Sequence, residues 1–268
     1  MRYGCCLNMV AKGEDKTGIE WIETLAEMGF DYAELPLAEI MMLSEAEFKA
    51  FKKKVRKSGI ACEVCNNFFP GSLRLTGEQV SGREVRNYVR KALRRAREMG
   101  TQILVFGSGP AKNIPEGFPF QKGYEQIVNL LREISRPARE WGITIVIEPL
   151  RKEECNIINT FEEGCRLSRR INQENVKVLV DFYHLSEEKE PVEHIAEEGE
   201  TYLRHVHFAE PMGRVYPRQA KESSYQPFFQ ALKTAGYDGR ISLEAYSRDF
   251  EKDAAVSLAL LKKAEKGF

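Results

Sequence analysis

Apolar positions along this chain recur with two alternating periods. Eight short runs are rich in β-branched and apolar residues: Arg2–Leu7, Asp31–Leu35, Ile60–Cys65, Thr101–Phe106, Ile143–Pro149, Val176–His184, Leu203–Glu210 and Arg240–Tyr246. Between them the apolar residues fall at helical spacing. Thr17–Met28 places Ile19, Ile22, Leu25 and Ala26 on one helical face and stops at Gly29. Ser44 opens a second helix with Glu47 in capping-box position, and Gly59 closes it. Gly82–Met99, Tyr124–Trp141, Thr160–Ile171, Pro191–Glu198, Ser224–Ala235 and Asp249–Lys266 complete the helical set.

Strict alternation of strand and helix predicts a parallel sheet. Eight such units in 268 residues predict a closed (β/α)8 barrel, a TIM barrel forming a single domain over residues 1–268. No Pro/Ser-rich linker divides the chain. An open dinucleotide-binding sheet would want a glycine fingerprint after its first strand. The stretch Gly107–Asn113 follows the fourth strand and lacks the G-x-G-x-x-G spacing.

Charge narrows the function classes. Forty basic and forty acidic side chains cancel, which argues against a nucleic-acid or anionic-membrane surface. The arginines of Gly82–Met99 are expected on a solvated outer helix face. No apolar run is long enough to span a membrane, and the N-terminus lacks a signal-peptide core. A cytoplasmic protein is expected. The six cysteines, 5, 6, 62, 65, 155 and 165, form no disulfide framework. Cys62 and Cys65 lie three apart in a strand, which predicts opposite faces and no shared metal.

The chemistry is concentrated at strand ends. Glu148, Asp181, His207 and Glu244 each end the fifth, sixth, seventh and eighth apolar run. In a barrel the carboxyl ends of the strands form one rim and carry the active site. A single acid there is an ordinary helix cap or ion-pair partner, but four in succession form a pattern. Three carboxylates and an imidazole suit Mn²⁺, Co²⁺ or Mg²⁺ better than a thiolate zinc site does. His205 shares a strand face with His207; His184 lies three residues beyond Asp181; His194 sits in a polar helical stretch. Asn8, Phe68, Phe106 and Phe208 are expected to line the pocket by position. Lys12, Arg151, Lys152 and Arg214 are the cations that could meet a substrate phosphate.

These residues also carry a family resemblance. The run IVIEPL, the D-x-x-H of Asp181–His184, the H-x-A-E-x-x-G-R-x-x-P of His207–Pro217 and the SLE of Ser242–Glu244 resemble the xylose-isomerase-like TIM-barrel superfamily. Within it the chain is most similar to the ketose 3-epimerase and hydroxypyruvate isomerase type. The resemblance implies one divalent metal, Mn²⁺ first, held by Glu148, Asp181, His207 and Glu244. It implies that Glu148 and Glu244 are also the catalytic acid/base pair, working through an enediolate. It implies substrate contacts from His184, from Glu154 near the sugar's terminal hydroxyl, and from Arg214, with Arg218 as the alternative. The expected partner is a small carbohydrate, and a homodimer is left open.

Three rival readings stay open. An inosose-dehydratase-like lyase would use the same site. An AP-endonuclease-like hydrolase would want further histidines where the chain reads Asn66-Asn67, Gly107-Ser108 and Met212-Gly213. A non-catalytic sugar-binding barrel need not keep all four ligands.

Overall fold

The computed structural model describes residues 1–219 and 222–267. Eight parallel strands close on themselves in sequence order. They are β1 Arg2–Cys6, β2 Tyr32–Pro36, β3 Cys62–Asn66, β4 Ile103–Phe106, β5 Thr144–Ile147, β6 Val176–Asp181, β7 Leu203–Phe208 and β8 Arg240–Leu243. β1 pairs with β8 from Arg2↔Arg240 to Cys5↔Leu243, and that ladder completes the barrel. Each strand is followed by an outer helix, so the predicted fold and order are both borne out.

The strands read as continuous apolar runs because both faces are covered. Ile145, Val146 and Ile147 are all fully buried. Tyr32, Val64, Ile103, Val105, Val146 and Leu179 form a cluster of inward-facing positions. The larger cluster lies between barrel and helices. The helix Glu45–Lys57 starts with both halves of its capping box made by Ser44 and Glu47. Gly100 stops Gly82–Met99 at φ 88°, where a side chain would be strained.

The structure corrects several expectations. Three short helices, Leu37–Met42, Gly109–Lys112 and Phe182–Glu187, lie in the loops beyond β2, β4 and β6. The run Val176–His184 is therefore a strand only to Asp181. Asp181 caps the next helix by accepting the Tyr183 N–H at 2.9 Å.

Cys62 and Cys65 do converge, with sulfurs 3.8 Å apart. The β2–β3 register jumps from Ala33↔Cys62 to Glu34↔Val64, so Glu63 is an extra residue. This bulge turns Cys62 to the side of Cys65. All six cysteines are free and buried. The bulged Glu63 bonds Arg2 at 2.5 Å and Arg240 at 2.6 Å, tying β3 to β1 and β8. On the helix Gly82–Met99, Arg95 is not solvated. It is fully buried and donates to the carbonyls of Ile40 and Leu43.

Candidate active site and metal centre

Parallel strands deliver their last residues to one end of the barrel. Glu148 directly follows β5, Asp181 ends β6, His207 is the penultimate residue of β7, and Glu244 directly follows β8. Ligand atoms from these four side chains lie within 4.8 Å of one another. All four are buried, His207 completely. His207 Nδ1 is 3.1 Å from Glu148 Oε1 and 3.3 Å from Glu244 Oε2.

Three carboxylates in so small a buried space repel one another, and their acidities show it. Burial, then the Glu244 charge, raises the Glu148 carboxyl. Burial, with Glu244 and Glu148 adding to it against Arg214, pushes Asp181 up to about 7. Burial would also raise Glu244, but Arg214 and His207 outweigh it and bring it down to about 2. A divalent cation fits this donor set: it would relieve the repulsion with hard oxygen and imidazole donors.

Arg214 reaches the cluster from the loop after β7. Its Nη2 ion-pairs with Glu244 and lies 3.4 Å from Asp181 Oδ2; its Nη1 is 3.9 Å from Glu154. Its guanidinium stacks 4.8 Å over the Tyr183 ring. Arg218 instead pairs with Asp253 at 2.8 Å, away from the cluster. Of the two candidate arginines, Arg214 is the one at the site.

His184 is 2 % exposed. Its Nδ1 accepts the Arg151 backbone N–H at 3.3 Å. Burial first, then Arg214, depresses its pKa to about 3, so the ring is neutral. With Nδ1 accepting, the proton sits on Nε2. That atom is 3.6 Å from Asp181 Oδ2, too far for a hydrogen bond, and has no partner among the described residues. Glu154 Oε1 accepts from Arg151 Nε at 2.9 Å.

A cavity of about 310 Å³ opens beside the cluster. Glu148, Glu244, His184, Glu154 and Arg214 line it, together with Asn8, Glu39 and Phe69. Asn8 is thus where the sequence placed it. Phe68, Phe106 and Phe208 are fully buried and do not line the cavity. Since His205 and His207 face inward, Phe208 must face outward, and it stacks on Phe182 at 4.8 Å.

Four residues escaped the sequence reading. Asn66 Nδ2 bonds Asn8 at 2.9 Å and reaches Glu244 at 3.5 Å. Lys112, fully buried, donates to the Glu148 carbonyl at 2.9 Å. Gly107 faces Glu148 so closely that a Cβ would stand 2.0 Å from Oε2. Glu34 lies below His207, with Oε1 2.9 Å from Nε2. Burial would raise its carboxyl, but the imidazoles of His207 and His205 outweigh it and hold it well below the usual range. Glu34 had the same signature as the carboxylates of the cluster, an acid in an apolar strand.

A closed eight-stranded barrel with a buried acid–histidine cluster on its C-terminal rim is an enzyme-type scaffold whose cluster could hold a metal ion. The chain belongs to the xylose isomerase-like TIM barrel family, which it matches over residues 22–264. A D-psicose 3-epimerase of Ruminiclostridium cellulolyticum is 22 % identical over 231 residues, covering 85 % of this chain and 78 % of that protein. The 3-dehydro-D-guloside 4-epimerase of Escherichia coli is 20 % identical over 240 residues, covering 86 % and 87 %. A solved D-allulose 3-epimerase from Methylomonas sp., in complex with D-allulose, superposes with a TM-score of 0.84 at 21 % identity, covering 98 % and 96 %. Both sequence relatives carry the names of isomerase-class enzymes. No helix among the described residues is long and apolar enough to cross a membrane.

Proposed function

We propose that this protein is a metal-dependent sugar epimerase or isomerase. Glu148, Asp181, His207 and Glu244 would hold the metal, and Glu148 and Glu244 would move the proton. One observation carries the reading: four buried strand-end donors lie within 4.8 Å of one another beside a cavity of about 310 Å³. The epimerase names of the relatives agree with it. Mn²⁺ suits the mixed oxygen and nitrogen donors, with Co²⁺ or Mg²⁺ as alternatives.

A divalent cation there would polarise a substrate carbonyl and its neighbouring hydroxyl, acidifying the C–H between them. The chain supplies the rest. One of the two glutamates takes the carbon-bound proton and the other returns one. Return to the same carbon from the opposite face inverts it; return to the neighbouring carbon interconverts ketose and aldose. His184 Nε2–H donates to a substrate oxygen. Glu154, steadied by Arg151, accepts from a terminal hydroxyl.

The substrate in this reading is uncharged. The cavity is lined by the carboxylates Glu39, Glu148, Glu154 and Glu244, and among the described residues Arg214 is the one cationic side chain on it. That cation is already ion-paired. Arg151 pairs with Glu154 and Glu187, and Lys152 with Glu188. Lys12 stacks on Trp21 at 4.6 Å. None of the three lines the cavity.

The test is a solvent-exchange screen in D2O with Mn²⁺-loaded protein. Ketopentoses, ketohexoses, their phosphates and hydroxypyruvate are offered in turn. Deuterium should enter an unphosphorylated ketose next to its carbonyl, and Glu148→Gln or Glu244→Gln should abolish it. Exchange confined to phosphates would overturn the uncharged substrate. Exchange surviving either substitution would overturn the paired glutamates.

A further inference from the structure

β2 gives nothing to the four-donor cluster, yet one of its side chains fixes how the cluster is presented. Glu34 is fully buried inside the barrel. Its Oε1 lies 2.9 Å from His207 Nε2. Its Oε2 lies 2.9 Å from His205 Nε2 and 2.6 Å from Ser242 Oγ. Ser242 Oγ is in turn 2.8 Å from the Tyr32 hydroxyl. His205, Ser242 and Tyr32 are fully buried.

Proton bookkeeping orients this network. A carboxylate only accepts, so both imidazoles must donate from Nε2. Ser242 spends its proton on Glu34, so the Tyr32 hydroxyl donates to Ser242. His205 is left with an unprotonated Nδ1, the atom without a partner among the described residues. With its Nε2 proton committed to Glu34, the proton His207 can yield to a cation is the one on Nδ1, the atom facing Glu148 and Glu244.

We propose that Glu34 is the positioning residue of the metal centre, holding His207 as the Nε2–H tautomer so that Nδ1 meets the cation. Tyr32, Ser242 and His205 position Glu34 in turn. The inference rests on the metal-centre reading above. Carboxylates behind metal-bound histidines fix ring orientation and tautomer, and their loss costs roughly 10- to 100-fold in metal affinity. Cys6, Glu34 and His207 also bring ligand atoms within 4.8 Å of one another. A Glu34 committed to three donors is not a ligand, so one ion per chain is expected rather than two.

The experiment is Mn²⁺ titration calorimetry on chelator-stripped wild type and Glu34→Gln at one pH. The variant should bind one ion per chain about 10- to 100-fold more weakly, with metal-free melting close to wild type. Imidazole ¹⁵N NMR of the Mg²⁺-loaded proteins should show the Nε2–H tautomer of His207 in wild type and its loss in the variant. Wild-type affinity in a folded Glu34→Gln overturns the proposal, as does a second ion lost with Glu34. Failure of wild type to bind any ion overturns the metal-centre reading instead. If Glu34→Gln does not fold, Ser242→Ala carries the test: a several-fold loss is expected, and unchanged affinity overturns the proposal.

Discussion

His184 takes the backbone N–H of Arg151 on Nδ1 at 3.3 Å, which leaves its Nε2–H, 3.6 Å from Asp181 Oδ2, without a hydrogen-bond partner among the described residues. A buried donor of this kind costs free energy until something accepts from it. His184→Phe keeps a ring of similar shape and removes the donor. We expect kcat/KM to fall by roughly 5- to 30-fold, the equivalent of about 1–2 kcal/mol for one hydrogen bond. Mn²⁺ affinity should stay near wild type. A comparable loss of metal affinity would show that His184 serves the cluster and not the substrate.

Metal affinity should fall with pH. The cation needs ionised carboxylates and a bare His207 Nδ1, so it competes with protons. Burial, helped by Glu244 and Glu148, has pushed Asp181 up to about 7. His207 is held well above its ordinary value: burial opposes the charge, but Glu34 and Glu244 outweigh it. Protons therefore win as pH drops through about 7, and affinity should weaken about tenfold or more per unit below it. Calorimetry at pH 8, 7 and 6 checks this; a flat affinity would refute it.

Gly107→Ala tests the packing against Glu148. The new Cβ would fall 2.0 Å from Glu148 Oε2, so the carboxylate must move. Overpacking of this kind costs about 1–3 kcal/mol of stability. The sharper expectation is a loss of Mn²⁺ affinity larger than the stability change, since Glu148 leaves the donor set. Full metal affinity with full stability would mean the loop shifts instead.

The two arginines should separate cleanly. Arg214→Ala strips the counter-charge from Glu244 and Asp181 and should lower kcat/KM strongly. Arg218→Ala removes a pair with the buried Asp253 away from the cluster, where Ser247 still donates to that carboxylate, and should leave kinetics unchanged. Equal effects from both would return the substrate contact to doubt.

The barrel and its four strand-end donors were legible because charge in an apolar strand is costly and therefore informative. Glu34 carries the same signal but sits in mid-strand, where no rim argument points. Phe208 was misplaced although the alternation already sent it outward once His205 and His207 faced in. Cys62 and Cys65 were misjudged for a different reason. The bulge at Glu63 is a register event between two strands, and neither strand's pattern records it. The helical turn after Asp181 was hidden because Phe182 and Tyr183 extend the apolar run of β6.

Asp181 divides its two oxygens between different duties. Oδ1 starts the helix Phe182–Glu187, and Oδ2 faces Arg214 and the cluster. Because His184 rides one turn along that helix, the residue that begins the helix also sets where the imidazole stands. Asparagine is the replacement that separates these duties, since it caps helices as well as aspartate does but brings no charge. Most other changes at this position would disturb charge balance and ring placement in a single step. The position is a junction where secondary structure and chemistry are inherited together.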